Sequence, residues 1–112
     1  MIDLTAEAGE RVSSVMIIES APGHYGVRGA LTFATARQAC DAGVRALAAS
    51  REASIEVDCA EVRASDSAGL AVLIEWLAWA RRSDRKLRFA NVPEALRAIA
   101  RICELDGLLL GG

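Results

Sequence analysis

The chain has 112 residues and a formal net charge of −2, and 53% of its residues are hydrophobic while 25% are charged. A chain of this length and composition forms one domain with its own core, which excludes a disordered protein. The slightly negative charge predicts no general affinity for nucleic acid or for an anionic membrane.

The sequence gives no sign of secretion or of a membrane span. Its first residues carry no basic-then-apolar signal, and no run of 18 or more apolar residues occurs. We therefore expect a cytoplasmic protein without direct membrane insertion. We expect the single domain to span residues 1–112, with residues 1–11 as a loosely ordered lead-in.

A hairpin and a helix are predicted for the first part of the chain. The apolar runs Val12–Ser20 and Tyr25–Leu31 are typical of strands, and the Ala-Pro-Gly sequence at 21–23 predicts a turn that pairs them antiparallel. A helix is then expected over about Phe33–Ala49, with Thr32 as its cap. Phe33 lies on the face of this helix that we expect to point into the core.

The second part of the chain is predicted to alternate strands with helices. The expected elements are a strand at Ser54–Cys59, a loop through Arg63 and Ala64, a helix from about Ser67, a strand at Lys86–Ala90, a helix from Pro93 to about Leu105 with Cys103 facing inward, and a short closing strand at Leu108–Leu110. The order β-β-α-β-α-β-α predicts an α/β domain with a mixed sheet of four or five strands and three main helices. The order of the strands in the sheet cannot be deduced from these residues.

The helix that begins near Ser67 is the most apolar part of the chain, and Asp66 or Ser67 is its expected N-cap. One face carries Leu70, Leu73, Ile74 and Leu77; the opposite face carries Ala68, Val72, Trp76 and Trp79, with Glu75 at its edge. A helix that is apolar all round is normally covered on both sides, and a small domain seldom has the layers to do so. We therefore predict that the second face, including Glu75, is partly exposed and binds a partner. The alternative is that another part of the chain covers the tryptophans.

Five cations follow within eight residues: Arg81, Arg82, Arg85, Lys86 and Arg88. Some of them lie in the last turn of the predicted helix, where cations suit the helix dipole. We interpret the cluster as a solvated face. An anion site or the rim of an interface is the alternative.

Cysteine and histidine are too few and too scattered for a metal or catalytic site. Cys40, Cys59 and Cys103 form no CxxC pair, and His24 is the only histidine. No nucleophile–base pair or phosphate-binding GxxxxGK[ST] loop is present. The sequence therefore predicts three reduced, buried cysteines, no metal, no cofactor and no enzymatic activity.

The segment VDCAEVRASDSAGLAVLIEWL resembles the signature of STAS domains, the family named for sulfate transporters and anti-sigma factor antagonists. That signature is a strand ending in Asp, a short loop, and Asp-Ser/Thr-x-Gly-Leu at the start of a helix. The matching positions are Asp58, Asp66, Ser67, Gly69 and Leu70. Gly29 and the tail FANVPEALRAIARICELDGLL extend the resemblance over nearly the whole chain from about Val15, which implies a STAS-like fold.

Within that family the chain is most similar to the small, MlaB-type STAS subunits of bacterial Mla phospholipid ABC transporters. Many anti-sigma factor antagonists carry acidic residues where this chain has Ala30 and Thr32. The resemblance thus implies a non-catalytic subunit that binds the ATPase of the transporter and is peripheral to the inner membrane through that partner. The alternative is an anti-sigma factor antagonist whose partner is an anti-sigma serine kinase.

Ser67 is the candidate switch residue under both alternatives. Negative charge is favoured at a helix N-terminus, and the resemblance implies that Ser67 accepts a phosphoryl group in the antagonist branch, with Asp58 and Asp66 as neighbours. In the transporter branch the same position contacts the ATPase. Ser67 as a plain N-cap is the alternative. Gly69 permits close backbone approach, either to a ligand or for packing of the helix on the sheet.

Overall fold

A computed structural model describes residues 14–110 of the chain. Its strands are β1 (Val15–Ala21), β2 (His24–Leu31), β3 (Ser54–Ser65) and β4 (Lys86–Ala90), and its helices are α1 (Ala36–Ala48), α2 (Ser67–Arg82), α3 (Glu94–Ile102) and α4 (Asp106–Leu110). The predicted lead-in at residues 1–11 lies outside the described residues.

The four strands form one mixed sheet in the order β1-β2-β3-β4. The pair β1–β2 is antiparallel, which confirms the predicted hairpin, whereas β2–β3 and β3–β4 are parallel. The last residues of β2 and β3 therefore share one edge of the sheet, the carboxyl edge, whereas the shorter β4 ends beside Asp58 of β3. The first residues of these three strands share the opposite, amino edge. Because α2 connects two parallel strands, it begins at the carboxyl edge and ends at the amino edge. Its 16 residues separate these ends by about 24 Å.

The core lies between the sheet and the helices. Leu70 and Leu73 are buried as predicted, and Leu77 is half-buried against the core. The largest side chains that are fully buried are Trp76, Leu31, Leu47, Leu73 and Leu96. These residues come from both sides of α2 and from three other elements, so α2 is covered on two sides, while Ser67, Ala71 and Glu75 on its remaining side are exposed.

The predicted exposure of Trp76 and Val72 is wrong, because each is only 1% exposed. Helix α1 crosses α2 closely, since the α1 residues at the crossing, Ala39 and Gly43, are small and buried. The Trp76 ring lies against Gly43 on one side and 6.5 Å from the ring of Phe89 on another. The chain therefore covers the second face of α2 with its own first helix.

Helix α1 begins three residues later than predicted, and this changes the position of Phe33. The chain first makes a turn in which the Thr35 amide donates to the Thr32 carbonyl at 3.0 Å. The Thr35 hydroxyl donates to the Ala30 carbonyl at 2.7 Å, which ties the turn to β2. Phe33 thus lies on the turn instead of the core face of a helix and is 85% exposed.

Strand β3 continues through the predicted loop at Arg63 and Ala64. Its second half stays paired with β2, as Ala64 opposite Ala30 and Ser65 opposite Leu31 show. Shifts in register along this pair interrupt the alternation of apolar side chains. Residues 60–65 therefore lack the apolar alternation from which a strand is predicted.

The chain end also differs from the prediction. Helix α3 stops at Ile102, and Glu104 adopts a left-handed conformation with φ of 58°, which turns the chain. Cys103 is consequently exposed, not inward-facing. Residues 108–110 belong to α4 and not to a fifth strand, and Leu109 of this helix is buried.

Candidate partner-binding site

Asp66 organises the carboxyl edge of the sheet. One carboxylate oxygen, Oδ1, accepts hydrogen bonds from the amides of Ala68 at 2.9 Å and Gly69 at 3.2 Å, which makes Asp66 the N-cap of α2. The other oxygen, Oδ2, accepts from the amide of Phe33 at 3.0 Å. The backbone amide of Asp66 donates to the Leu31 carbonyl at 3.2 Å. One side chain thus fixes the start of α2 and the β2–α1 turn relative to each other.

Ser67 is the first residue of α2 and is exposed. It takes no part in the cap, so of the two predicted caps Asp66 is the one observed. The Asp66 carboxylate also occupies the amides of Ala68 and Gly69, which are donors that a phosphate on Ser67 would otherwise use. The negative charge of the Asp66 carboxylate would repel a phosphate added to the adjacent Ser67.

Phe33 lies beside this helix start, because its amide is bonded to Asp66. An aromatic side chain that is 85% exposed on a fixed turn is typical of a protein contact. Sequence reasoning placed Phe33 in the core. Thr35 is the residue that could have corrected this prediction, because threonine suits the helix N-cap at position 35 as well as at position 32.

Gly69 has a packing role. A Cβ atom at this position would lie far inside van der Waals contact with the carbonyl oxygen of Leu31. The first turn of α2 therefore rests directly on the end of β2. Of the two predicted roles, close packing on the sheet is the one that the structure shows.

Asp58 is not a neighbour of Ser67. It lies within β3 opposite Gly26, whereas Ser65, at the end of β3, lies opposite Leu31, and five residues of β2 correspond to about 17 Å. Its Oδ1 accepts from the amide of Ala60 at 2.8 Å and from the side chain of Asn91 at 3.0 Å. Asp58 thus joins β3 to the residue after β4, and its predicted place beside the switch is wrong.

The surface that α2 leaves accessible differs from the face predicted to bind a partner. Its exposed positions in the first three turns are Ser67, Ala71 and Glu75, at spacings of four residues. Of the predicted set, Ala68 and Trp79 are half-buried, and Val72 and Trp76 are buried. We call Phe33, Ser67, Ala71 and Glu75 the partner surface.

Trp79 has a partner within the chain. The guanidinium carbon of Arg85 lies 5.7 Å from the centre of the Trp79 ring, within cation–π distance. Arg85 is itself fixed by a hydrogen bond from Nη1 to the Ser50 carbonyl at 2.8 Å. Trp79 is therefore held near the amino edge and contributes little to the partner surface.

The cysteines differ in exposure. Cys59 is fully buried, and burial, with a smaller contribution from the Asp58 charge, raises the pKa of its thiol to about 12. Burial also raises the pKa of the half-buried Cys40, and the charges of Glu75 and Asp41 act in the same direction. The exposed Cys103 departs from the predicted burial of all three.

Two features that residues 14–110 lack bear on function. Within this part of the chain, no group of three or more His, Cys, Asp or Glu side chains is placed to hold a metal ion. In the same residues, no helix is both long enough and apolar enough to cross a membrane.

Comparison with known proteins identifies a family and a fold. Residues 18–111 match the family model described as "Mlab, STAS domain". No curated protein sequence matches the chain.

Two solved structures have the same fold. The structure of the anti-sigma factor antagonist SpoIIAA in its unphosphorylated form has a TM-score of 0.66 at 12% identity, with 87% of this chain and 86% of that chain covered. An anti-sigma factor antagonist from Mycobacterium paratuberculosis has a TM-score of 0.66 at 20% identity, with 87% of this chain and 84% of that chain covered. At these identities the similarity demonstrates a shared fold.

Proposed function

The chain belongs to the STAS domain family, in its MlaB-type branch, and from that membership we propose that it is a non-catalytic subunit that binds and supports the ATPase of a bacterial phospholipid-transport ABC complex. Such a subunit is cytoplasmic and peripheral to the inner membrane through its partner. Its task is to present a fixed surface to the ATPase, and no bond is made or broken by its own residues.

The observation that carries this proposal is the exposed Phe33 beside the start of α2. The Asp66 carboxylate bonds to the backbone on both sides of this surface, to Phe33 and to Ala68. A surface fixed in this way loses little conformational entropy when a partner binds. We expect Phe33 to be the aromatic anchor, with Ser67, Ala71 and Glu75 as the polar and small residues around it.

A phosphorylation-switched anti-sigma factor antagonist is the second candidate. The exposed Ser67 and the fold shared with two antagonists favour it. One feature favours the transporter subunit instead, because the Asp66 cap belongs to the signature that both candidates share. The fully buried Ala30 stands where many antagonists carry an acidic residue.

Purification of the affinity-tagged protein from its native cells tests the proposal. We expect an ABC ATPase to be retained with the wild-type protein, and recovery of an anti-sigma kinase in its place would favour the second candidate. Phe33→Ser should reduce retention of the ATPase about thirtyfold, as loss of a hot-spot aromatic does.

Ile102→Ser is the matched control. Ile102 is also an exposed apolar side chain, at 82%, but it ends α3 and lies towards the amino edge. This variant should retain the ATPase as the wild type does. Equal loss in both variants would indicate a nonspecific effect, and unchanged retention by Phe33→Ser would contradict the assignment of the surface.

A further inference from the structure

A groove of about 840 Å³ opens at the amino edge of the sheet, at the opposite end of α2 from Ser67. Its volume is within the range of small-molecule sites, about 300–1,000 Å³. Apolar side chains from four elements line it: Ile55, Leu77, Ala80, Leu87 and Leu108. Leu77 and Leu108 are only half-buried, so the groove offers apolar surface to a ligand.

The groove is also lined by four cations: Arg81, Arg85, Lys86 and Arg88. They belong to the run at 81–88, which holds five of the thirteen basic residues of a chain whose net charge is −2. Among residues 14–110, no carboxylate lies within ion-pair distance of Arg81 or Lys86. This concentration of positive charge attracts an anion.

Of the described residues that line the groove, Glu56 is the one acid, and it does not cancel this charge. Glu56 forms an ion pair with Arg88, and His24 Nδ1 lies 3.8 Å from its other carboxylate oxygen. Arg85 is held in place by the Ser50 carbonyl and by the Trp79 ring. The groove thus combines one positioned guanidinium, Arg85, with two cations, Arg81 and Lys86, that form no ion pair with a carboxylate of residues 14–110.

From this combination we propose that the groove binds an anionic amphiphile, a molecule with a phosphate or carboxylate head and an apolar chain. The cations at 81–88 hold the head, and the apolar residues between α2, β4 and α4 cover the chain. A free phosphate would leave the apolar surface uncovered, and a neutral apolar molecule would leave the cations unused. The inference is independent of the proposed function, because no residue of the partner surface lines the groove.

Titration of the full chain with dodecyl phosphate below its micelle concentration tests the proposal, with calorimetry as the readout. We expect saturable binding with one site per chain. Inorganic phosphate supplies the head alone and dodecyl maltoside supplies the chain with a neutral head, and each should bind at least tenfold more weakly. No binding of dodecyl phosphate, or equal binding of dodecyl maltoside, would overturn the proposal.

Gly107→Phe locates the ligand. Gly107 lines the groove, and a Cβ atom added there meets nothing within 4 Å, so a larger side chain can be introduced there without a clash at its first carbon. Affinity for dodecyl phosphate should fall at least tenfold while thermal unfolding stays unchanged. Gly26→Phe is the control, since its Cβ also has nothing within 4 Å but Gly26 lies outside the groove.

Two further measurements distinguish binding of the ligand in the groove from binding to a charged surface patch. The double variant Arg81→Gln and Lys86→Gln should weaken dodecyl phosphate binding at least tenfold. Sedimentation with vesicles of phosphatidylglycerol tests adsorption to a membrane. If Gly107→Phe keeps the wild-type affinity for dodecyl phosphate and for these vesicles, the cations act as a surface patch and the groove assignment is wrong.

Discussion

The indole ring of Trp76 lies directly against Gly43 where α2 crosses α1. A Cβ atom at position 43 would lie far inside van der Waals contact with the atoms of this ring, so only glycine allows this crossing distance. The Trp76 Nε1 is buried and has no hydrogen-bond partner among the described residues. An unpaired donor of this kind costs about 1–3 kcal/mol, and the burial of the large ring offsets it.

Gly43→Ala should destabilise the protein even though alanine is the better helix former. The propensity gain is about 1 kcal/mol, but an overpacked side chain costs about 1–3 kcal/mol, and here it meets the Trp76 ring. Chemical denaturation measures the free energy of unfolding. In a Trp76→Leu background the same change should become neutral or stabilising. A stabilising effect of Gly43→Ala in the wild type would show that the two helices are not in this contact.

Asp66→Ala should destabilise the fold by about 2 kcal/mol, because it removes an N-cap and the bond to the Phe33 amide. Ser67→Ala should change the free energy of unfolding by less than about 0.5 kcal/mol, since Ser67 is exposed and makes no cap. The two variants change adjacent residues, of which only Asp66 makes the capping hydrogen bonds. Similar losses for the two variants would indicate that Ser67 shares the capping role.

Cys59 should make stability depend on pH in alkaline solution. Its thiol has a pKa of about 12 in the folded protein against an ordinary value of 9.0. The raised pKa means that the folded state keeps its proton while the unfolded state loses it between these values. The stabilisation is complete below pH 9 and declines as the pH rises towards 12, by about 1.4 kcal/mol per pH unit.

Denaturation of wild type and Cys59→Ala at several pH values from 8 to about 10.5 measures this contribution. At pH 8 the variant Cys59→Ala should be the less stable protein because Cys59 is fully buried, and the difference in unfolding free energy between the two proteins should shrink above pH 9. The burial-raised pKa of Tyr25 affects both proteins alike. A constant difference across this range would mean that the Cys59 thiol is accessible to solvent.

The sequence by itself determined the features that depend on neighbouring residues. It located β4 at Lys86–Ala90 and the start of α2 after Asp66. A short alternating run and an N-cap are local signals, because the bonds that produce them join residues within a few positions of each other. The Asp-Ser-x-Gly-Leu motif is local in the same sense, and it led to the family.

Only the tertiary structure decided which side chains are covered and which are accessible. Trp76 is buried because Gly43, on another helix, lets α1 approach, and Phe33 is exposed because Thr35 bonds back to β2. The groove exists because α4 comes to the amino edges of β3 and β4. Each of these outcomes depends on contacts between distant parts of the chain, and hydrophobic periodicity, which describes one helix or strand at a time, carries no information about them.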